Sequence, residues 1–262
     1  MLLDTRITVQ YRGRPPVLDN LQLTIEPGEI HALAGESGSG KSTLALALLR
    51  LHDAGATITG RVSWNGVDLL TLPRKAMRAI RGRDIALIPQ SPLQSLNPCL
   101  RIGTQMEEAW RVHEPSRDAT GPIFQALSEA SLPTDPGFLR LHPHQLSVGM
   151  AQRVLIAMSV LHRPKLLIAD EATSALDLIT QSEILALFRR LSRTHKAALL
   201  FITHDLAAAG DLCDRISILH RGVIIESAPA PAIFENPAHE YTQRLVAALP
   251  IRMRQSRLTA IT

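Results

Sequence analysis

The chain has almost no cysteine. Cys99 and Cys213 are the only two in 262 residues, far apart, with no C-x-x-C pair and no His/Cys spacing suited to zinc. That argues against a disulfide framework or a thiolate metal centre and fits a reducing compartment. Aromatics are scarce at 3%, and the formal charge of +4 comes from scattered arginines such as Arg74, Arg78, Arg81 and Arg83 rather than a basic block. Without rings interleaved in a basic patch, no nucleic-acid partner is expected. No apolar run nears the ~20 residues that span a bilayer, and Met1-Leu2-Leu3-Asp4-Thr5-Arg6 lacks the basic start and apolar core of a signal peptide. Any membrane role is therefore expected from outside the lipid. With 45% hydrophobic residues, the chain has the means to bury one large α/β core, and it shows no internal repeat.

What stands out is Gly35-Glu36-Ser37-Gly38-Ser39-Gly40-Lys41-Ser42, which fits G-x-x-x-x-G-K-[ST]. Ile30-His31-Ala32-Leu33-Ala34 before it reads as a buried strand, and Thr43-Leu44-Ala45-Leu46-Ala47 after it as a helix. A glycine-rich loop in that context lets backbone N–H groups face phosphate oxygens at the positive end of a helix. Lys41 is placed to reach the β- and γ-phosphates and the Ser42 hydroxyl to ligate Mg²⁺. The competing reading is a glycine-rich surface turn.

Around this loop, Ile7 and Val9, then Leu21, Leu23 and Ile25, alternate as half-buried strands. Tyr11 between them is either a base-stacking ring or a packing residue. Asn65-Gly66 marks a hairpin in an antiparallel flap. A charged helix is expected at 75–83 and a strand through Ile85-Ala86-Leu87-Ile88, ending at Gln90, whose amide suits Mg²⁺, a water, or simple solvation. Helical stretches near 104–112 and 123–130 suggest an inserted subdomain. Ser147-Val148-Gly149 precedes a helix at 151–161 and is either an anion-binding device or an ordinary serine cap. Leu166-Leu167-Ile168-Ala169 runs into Asp170-Glu171, a carboxylate pair at a strand end: Asp170 suits Mg²⁺, and Glu171, expected on the opposite face by strand alternation, suits a general base. After a helix at 180–192, the strand Ala198-Leu199-Leu200-Phe201-Ile202-Thr203 ends at His204, expected on the same sheet edge. His142, His144 and His239 read as surface or packing residues.

The ordered set resembles the ATP-binding cassette ATPases over nearly the whole chain. The resemblance implies a P-loop NTPase (RecA-like) α/β fold with a mainly parallel core sheet, an antiparallel β subdomain and an inserted α-helical subdomain. It implies a single cassette domain over 1–250, with the helical insertion at about 91–162 and a short tail at 251–262. Tyr11 then stacks on adenine. Gly35, Ser37, Gly38, Ser39, Gly40, Lys41, Ser42 and Thr43 hold the phosphates of ATP. Ser42, Gln90 and Asp170 serve Mg²⁺, Glu171 is the base, His204 senses the γ-phosphate, and Asp177 belongs to the Asp-containing loop.

In that family two cassettes sandwich two nucleotides head to tail, so Ser147 and Gly149 contact the partner's nucleotide. Leu-Ser-Gly-Gly-Gln is the usual signature; this chain has Val148 and Met150, and a β-branched side chain at 148 is expected to disturb the backbone path. Ala172, where proline often follows the glutamate, is a milder departure.

The stretch Gln90-Ser91-Pro92-Leu93-Gln94-Ser95-Leu96-Asn97-Pro98 and the segment 236–245 resemble cassettes of peptide and nickel importers. That implies an energy-coupling subunit at the cytoplasmic face of the inner or plasma membrane, working with two integral permease subunits, a second cassette (an unlike one favoured over a copy) and, indirectly, an extracytoplasmic solute-binding protein. The alternative is a cassette of a non-transport complex, such as a phosphonate-breakdown accessory or a DNA- or ribosome-associated ATPase.

Overall fold

Strict alternation of apolar and polar residues makes the first element a half-buried strand. In β1 (Leu3–Tyr11), Leu3, Thr5, Ile7 and Val9 point inward while Asp4, Arg6 and Gln10 stay exposed. The computed structural model describes residues 1–249, so the tail expected at 251–262 lies outside it. β1 pairs antiparallel with β2 (Pro16–Ile25). Next come β3 (Ile30–Ala34), all five residues buried, and α1 (Lys41–Leu48). β4 (Ala56–Trp64) returns antiparallel to β1 and turns through Asn65-Gly66 into β5 (Val67–Asp68). Both turn residues have positive φ, 48° and 85°, as a tight two-residue hairpin requires. The sheet order is β2-β1-β4-β5, which is the antiparallel flap that the sequence implies.

Residues Arg74–Ala197 form a compact unit of their own. The first helix, α2 (Arg74–Ile80), stops before the expected residue 83 because Gly82, at φ 78°, turns the chain and donates its N–H to the Ile85 carbonyl. β6 (Ile85–Ile88) is followed by α3 (Pro92–Ser95), α4 (Ile102–Arg111), α5 (Thr120–Glu129), α6 (Pro136–Leu139) and α7 (Val148–Val160). β7 (Leu166–Asp170) runs parallel to β6, with Ile85 opposite Leu166 and Ile88 opposite Ala169. α8 (Leu178–His195) closes the unit, burying Ile184, Leu187, Phe188 and Leu191 on one stripe.

From Ala198 onward the chain rejoins the unit that holds Met1–Pro73. β8 (Ala198–Thr203) is buried throughout, the mark of an interior parallel strand, and lies beside β3. After α9 (Leu206–Leu212), β9 (Arg215–His220) pairs parallel to the other side of β3, and β10 (Val223–Pro229) turns back antiparallel onto β9. Two helices follow, α10 (Ala230–Glu235) and α11 (Glu240–Ala247). Within this unit the strand order β10-β9-β3-β8 puts the wholly buried β3 in an interior position, directly before the glycine-rich loop.

Phe188 is fully buried on α8. Phe188→Ala should destabilise the protein by about 3–5 kcal/mol, read as a lowered midpoint in denaturant unfolding.

Candidate functional site

Register decides where the glycine-rich loop sits. β3 and β8 are parallel and paired from Ile30 with Leu199 to Ala34 with Thr203, so residues 35–40 and His204 leave the sheet at the same edge. The loop is wrapped tightly. A Cβ on Gly35 would collide with the Leu219 carbonyl oxygen, and one on Gly40, at φ 108°, would lie 2.6 Å from Leu18 Cδ2. Only glycine is accommodated at those two positions.

Three features of the loop suit an anion. Lys41 is only 4% exposed, and its Nζ donates to the carbonyls of Gly35 (2.9 Å) and Glu36 (2.8 Å). The Ser39 Oγ is buried with no hydrogen-bond partner. Gly40, the N-cap of α1, has no side chain to cap the helix, which leaves the positive end of its dipole open to an anion. A phosphate there would meet the Ser39 hydroxyl, the Lys41 ammonium and the helix end together. Ser37, Gly38 and Ser42 are exposed, Thr43 is half-buried, and Tyr11 ends β1 half-exposed. His204 is exposed; beside it Thr203 Oγ1 accepts from the Asp205 N–H, and Asp205 caps α9 through the Ala208 N–H.

The carboxylate pair belongs to the other unit. Asp170 is the last residue of β7, but Glu171 is not in the strand at all: its φ is 46°. Strand alternation therefore does not aim Glu171, contrary to the sequence expectation. A left-handed turn does, and such a conformation is uncommon for a glutamate. Gln90 Nε2 donates to Glu171 Oε2 at 2.9 Å, so the amide acts here through its donor side and fixes the carboxylate. Ser174 Oγ donates to the Glu171 carbonyl and steadies the same turn.

Ser147 caps α7, its Oγ accepting from the Met150 N–H at 3.2 Å. Val148 is the first helical residue, lacks a positive φ and is 38% exposed. The valine thus leaves the backbone path undisturbed, because helix geometry accepts a β-branched residue whose side chain faces outward. Gly149 is the tight position, since a Cβ there would lie 2.8 Å from Thr180 Cγ2. Asp177 caps α8: Oδ1 accepts from the N–H groups of Ile179 (3.1 Å) and Thr180 (3.0 Å), and Oδ2 from Thr180 Oγ1 (2.7 Å). The Thr180 backbone bond first, then its hydroxyl, hold the Asp177 carboxyl below its usual value.

The sequence reading missed His220 and Tyr241 as neighbours of the loop. Tyr241 lies against the His220 ring at 4.0 Å between centroids, and Gly222, two residues beyond His220, donates its N–H to the Ser39 carbonyl at 3.2 Å. No local pattern in the sequence links these positions. His239, expected as a surface or packing residue, caps α11 by accepting the Tyr241 N–H at Nδ1.

A family model described as "ABC transporter" matches residues 18–174. The dipeptide transport ATP-binding protein DppD of Escherichia coli (strain K12) is 41% identical over 236 residues, covering 89% of this chain and 72% of DppD. The peptidoglycan transport ATP-binding protein YejF of Agrobacterium fabrum is 41% identical over 237 residues; the alignment covers 89% of this chain but only 43% of YejF. Among solved structures, the dimeric post-hydrolysis state of the ATP-binding cassette MJ0796 with ADP and Pi superposes with a TM-score of 0.76 at 26% identity, covering 88% of this chain and 99% of that one.

Because hydrogen bonds depress the Asp177 carboxyl, its cap is intact above the usual value of 3.8 and is lost as pH falls through the depressed one. Protection of the Ile179 and Thr180 amides, measured as exchange relative to the intrinsic rate at each pH, should therefore fall on acidification, and Asp177→Asn should remove that pH dependence of protection.

Proposed function

Because the chain belongs to the ABC transporter family, matched over residues 18–174, we propose that it is the ATP-hydrolysing cassette that energises an importer of peptide-class cargo. The buried Lys41 ammonium beside the unpartnered Ser39 hydroxyl is the observation that carries the nucleotide assignment. The names of DppD and YejF support peptide-class cargo, and neither a nickel substrate nor a non-transport complex draws comparable support from them.

Residues Gly35, Ser37, Gly38, Ser39, Gly40, Lys41, Ser42 and Thr43 bind the triphosphate, and Tyr11 packs on the adenine. Lys41 exchanges its two loop carbonyls for phosphate oxygens, so binding requires no naked buried charge at any stage. Ser42, Asp170 and Gln90 supply oxygens for Mg²⁺, which when bound neutralises charge on the phosphates. Glu171 takes the proton of the attacking water on a carboxylate oxygen, and Gln90 Nε2 orients that carboxylate through the 2.9 Å bond. His204 contacts the γ-phosphate from the edge it shares with the loop.

In a head-to-tail pair of cassettes, Ser147 and Gly149 serve the nucleotide of the second subunit, and Asp177 lines the same interface. The Ser147 oxygen accepts the cap bond, so its O–H proton remains to donate to a phosphate. Among the described residues no helix is long and apolar enough to cross a membrane. The proposed partners, which the relatives' names support only as transport systems, are a second cassette, an unlike one favoured, and two integral permeases at the cytoplasmic face of the inner or plasma membrane, with an extracytoplasmic solute-binding protein acting through them.

Glu171→Gln should keep ATP binding and lower kcat by about 10²–10⁴-fold, measured as phosphate release from the assembled complex; near-normal turnover removes Glu171 from the base role. Val148→Gly should preserve or raise that activity, since the valine strains nothing in the helix; a clear loss shows that the complex depends on it. Co-purification of the native protein with multi-span hydrophobic subunits tests the transport assignment, and ribosomal or enzyme partners in their place overturn it.

A further inference from the structure

Three rings meet within the unit Arg74–Ala197, and none of them serves the chemistry above. The His162 ring, just beyond the end of α7, stacks on the Trp110 indole of α4 with centroids 4.8 Å apart and planes 5° off parallel. His113, just beyond α4, meets the same imidazole edge-on at 4.9 Å. Each histidine also ties two elements together. His162 Nε2 donates to the Ala109 carbonyl in the last turn of α4 (3.2 Å), and His113 Nε2 donates to the Arg81 carbonyl beyond α2 (2.9 Å). A carbonyl can only accept, so both rings carry their proton on Nε2, and a second proton enters only at Nδ1. The indole is fixed as well, its Nε1 donating to the Arg117 carbonyl at 3.3 Å.

That second proton has a way in and a poor reception. A cavity lined by Arg83, Trp110, Glu114, Glu129, His162 and Arg163 leaves the His162 ring half-buried rather than sealed. Arg83 on the turn before β6, Arg163 next in the chain and a charged His113 all oppose an imidazolium there. The two carboxylates lining the cavity are already engaged. Glu114 lies between Arg83 (3.9 Å) and Arg117 (3.4 Å), and Glu129 on α5 is bonded to His195 of α8 at 2.8 Å. The indole face favours a cation. Burial first, then His113 and Arg83, nevertheless hold the His162 imidazole below its usual value of 6.5, against the pull of the Ala109 carbonyl and Glu114.

We propose that the Trp110–His162–His113 cluster is an acid-sensitive joint: with neutral rings it clamps the ends of α2, α4 and α7 together, and a proton on His162 releases them. The clamp sits where β6 and β7 begin. Residues 81–83 lead into β6, and the N–H groups of Lys165 and Leu166 at the start of β7 bond to the Asp84 carbonyl at 2.9 and 3.1 Å. Beyond the far ends of those strands stand Gln90 and Glu171, joined by their 2.9 Å bond, so acidification loosens the frame that carries them. Because the folded chain holds the imidazole below 6.5, the clamp is whole above that value and is lost as pH falls from there through the depressed one.

Histidine NMR of the full chain, with amide exchange at the joint, tests this without any nucleotide. His162 should titrate below 6.5. The amides of His113, Glu114 and Arg163 are bonded within the joint, to the carbonyls of Trp110 and Val160. Their protection, measured relative to the intrinsic rate at each pH, should fall about 3- to 10-fold between about pH 7.5 and about pH 5.5. In His162→Phe, which keeps a ring on Trp110, that change should shrink to less than about twofold. In His113→Gln, which keeps a donor for the Arg81 carbonyl, the His162 titration should move up toward 6.5. A parent His162 that titrates at or above 6.5 overturns the proposal, as does protection that is level across the range. A loss of protection that persists in His162→Phe also overturns it and points to the His195–Glu129 pair instead. If the phenylalanine variant does not fold, the parent titration and His113→Gln decide, and an unmoved His162 in the latter overturns the joint. None of these readouts involves ATP, so failure here leaves the nucleotide assignment standing.

Discussion

A positive charge taken out of water must be surrounded by oxygen, and in this molecule that requirement falls on Lys41. Its ammonium is nearly inaccessible and is held by the carbonyls of Gly35 and Glu36. The loop has to curl tightly for both carbonyls to reach one nitrogen. That curl depends on close approaches that tolerate no side chain: Gly35 against the Leu219 carbonyl and Gly40 against Leu18. Those approaches exist because β3 is flanked by β8 on one side and β9 on the other, in a register that ends the strands together. In the proposed role of Lys41 these carbonyls give way to phosphate oxygens, so the buried charge keeps oxygen partners throughout. Ser39 adds a hydroxyl that the fold buries and leaves without a partner.

Several residues with proposed roles also begin helices or adjoin a residue that does. Ser147 caps α7, Asp177 caps α8, and Asp205, next to His204, caps α9. Capping fixes both the side chain and the direction of the first-turn N–H groups. A residue pinned in this way needs no further device to present its remaining hydrogen-bonding capacity, and the cap at Ser147 is compatible with the proposed anion contact: accepting one bond leaves its proton to give. The capped turn also explains why a valine is harmless at 148 and a side chain is not at 149, where Thr180 lies too close.

Glu171 illustrates a different device. Instead of continuing β7, it takes a left-handed conformation, and Gln90 holds its carboxylate. A glutamate in that region carries conformational strain, which persists only where neighbours enforce it. Here Gln90 and Ser174 supply that enforcement, from opposite ends of the residue. In the proposed role of general base, a carboxylate that is already oriented loses little entropy when it meets its proton.

Much of this was legible in the chain itself. The apolar runs 30–34 and 198–203 announce interior strands, Asn65-Gly66 announces a hairpin, and the spacing of glycines before Lys41 announces a phosphate loop, because each is a local pattern read within one element. What the local pattern misjudged was direction: it aimed Glu171 by strand alternation although the strand ends one residue earlier, at Asp170. Other features were beyond local reading. The Gln90–Glu171 bond joins residues 81 positions apart, and the buried bond between His31 and Ser217 joins residues 186 apart. Periodicity and capping act over a few residues and so can be read from composition and spacing. Which distant side chains meet is decided by strand order and packing once the elements assemble, and only the folded molecule contains that information.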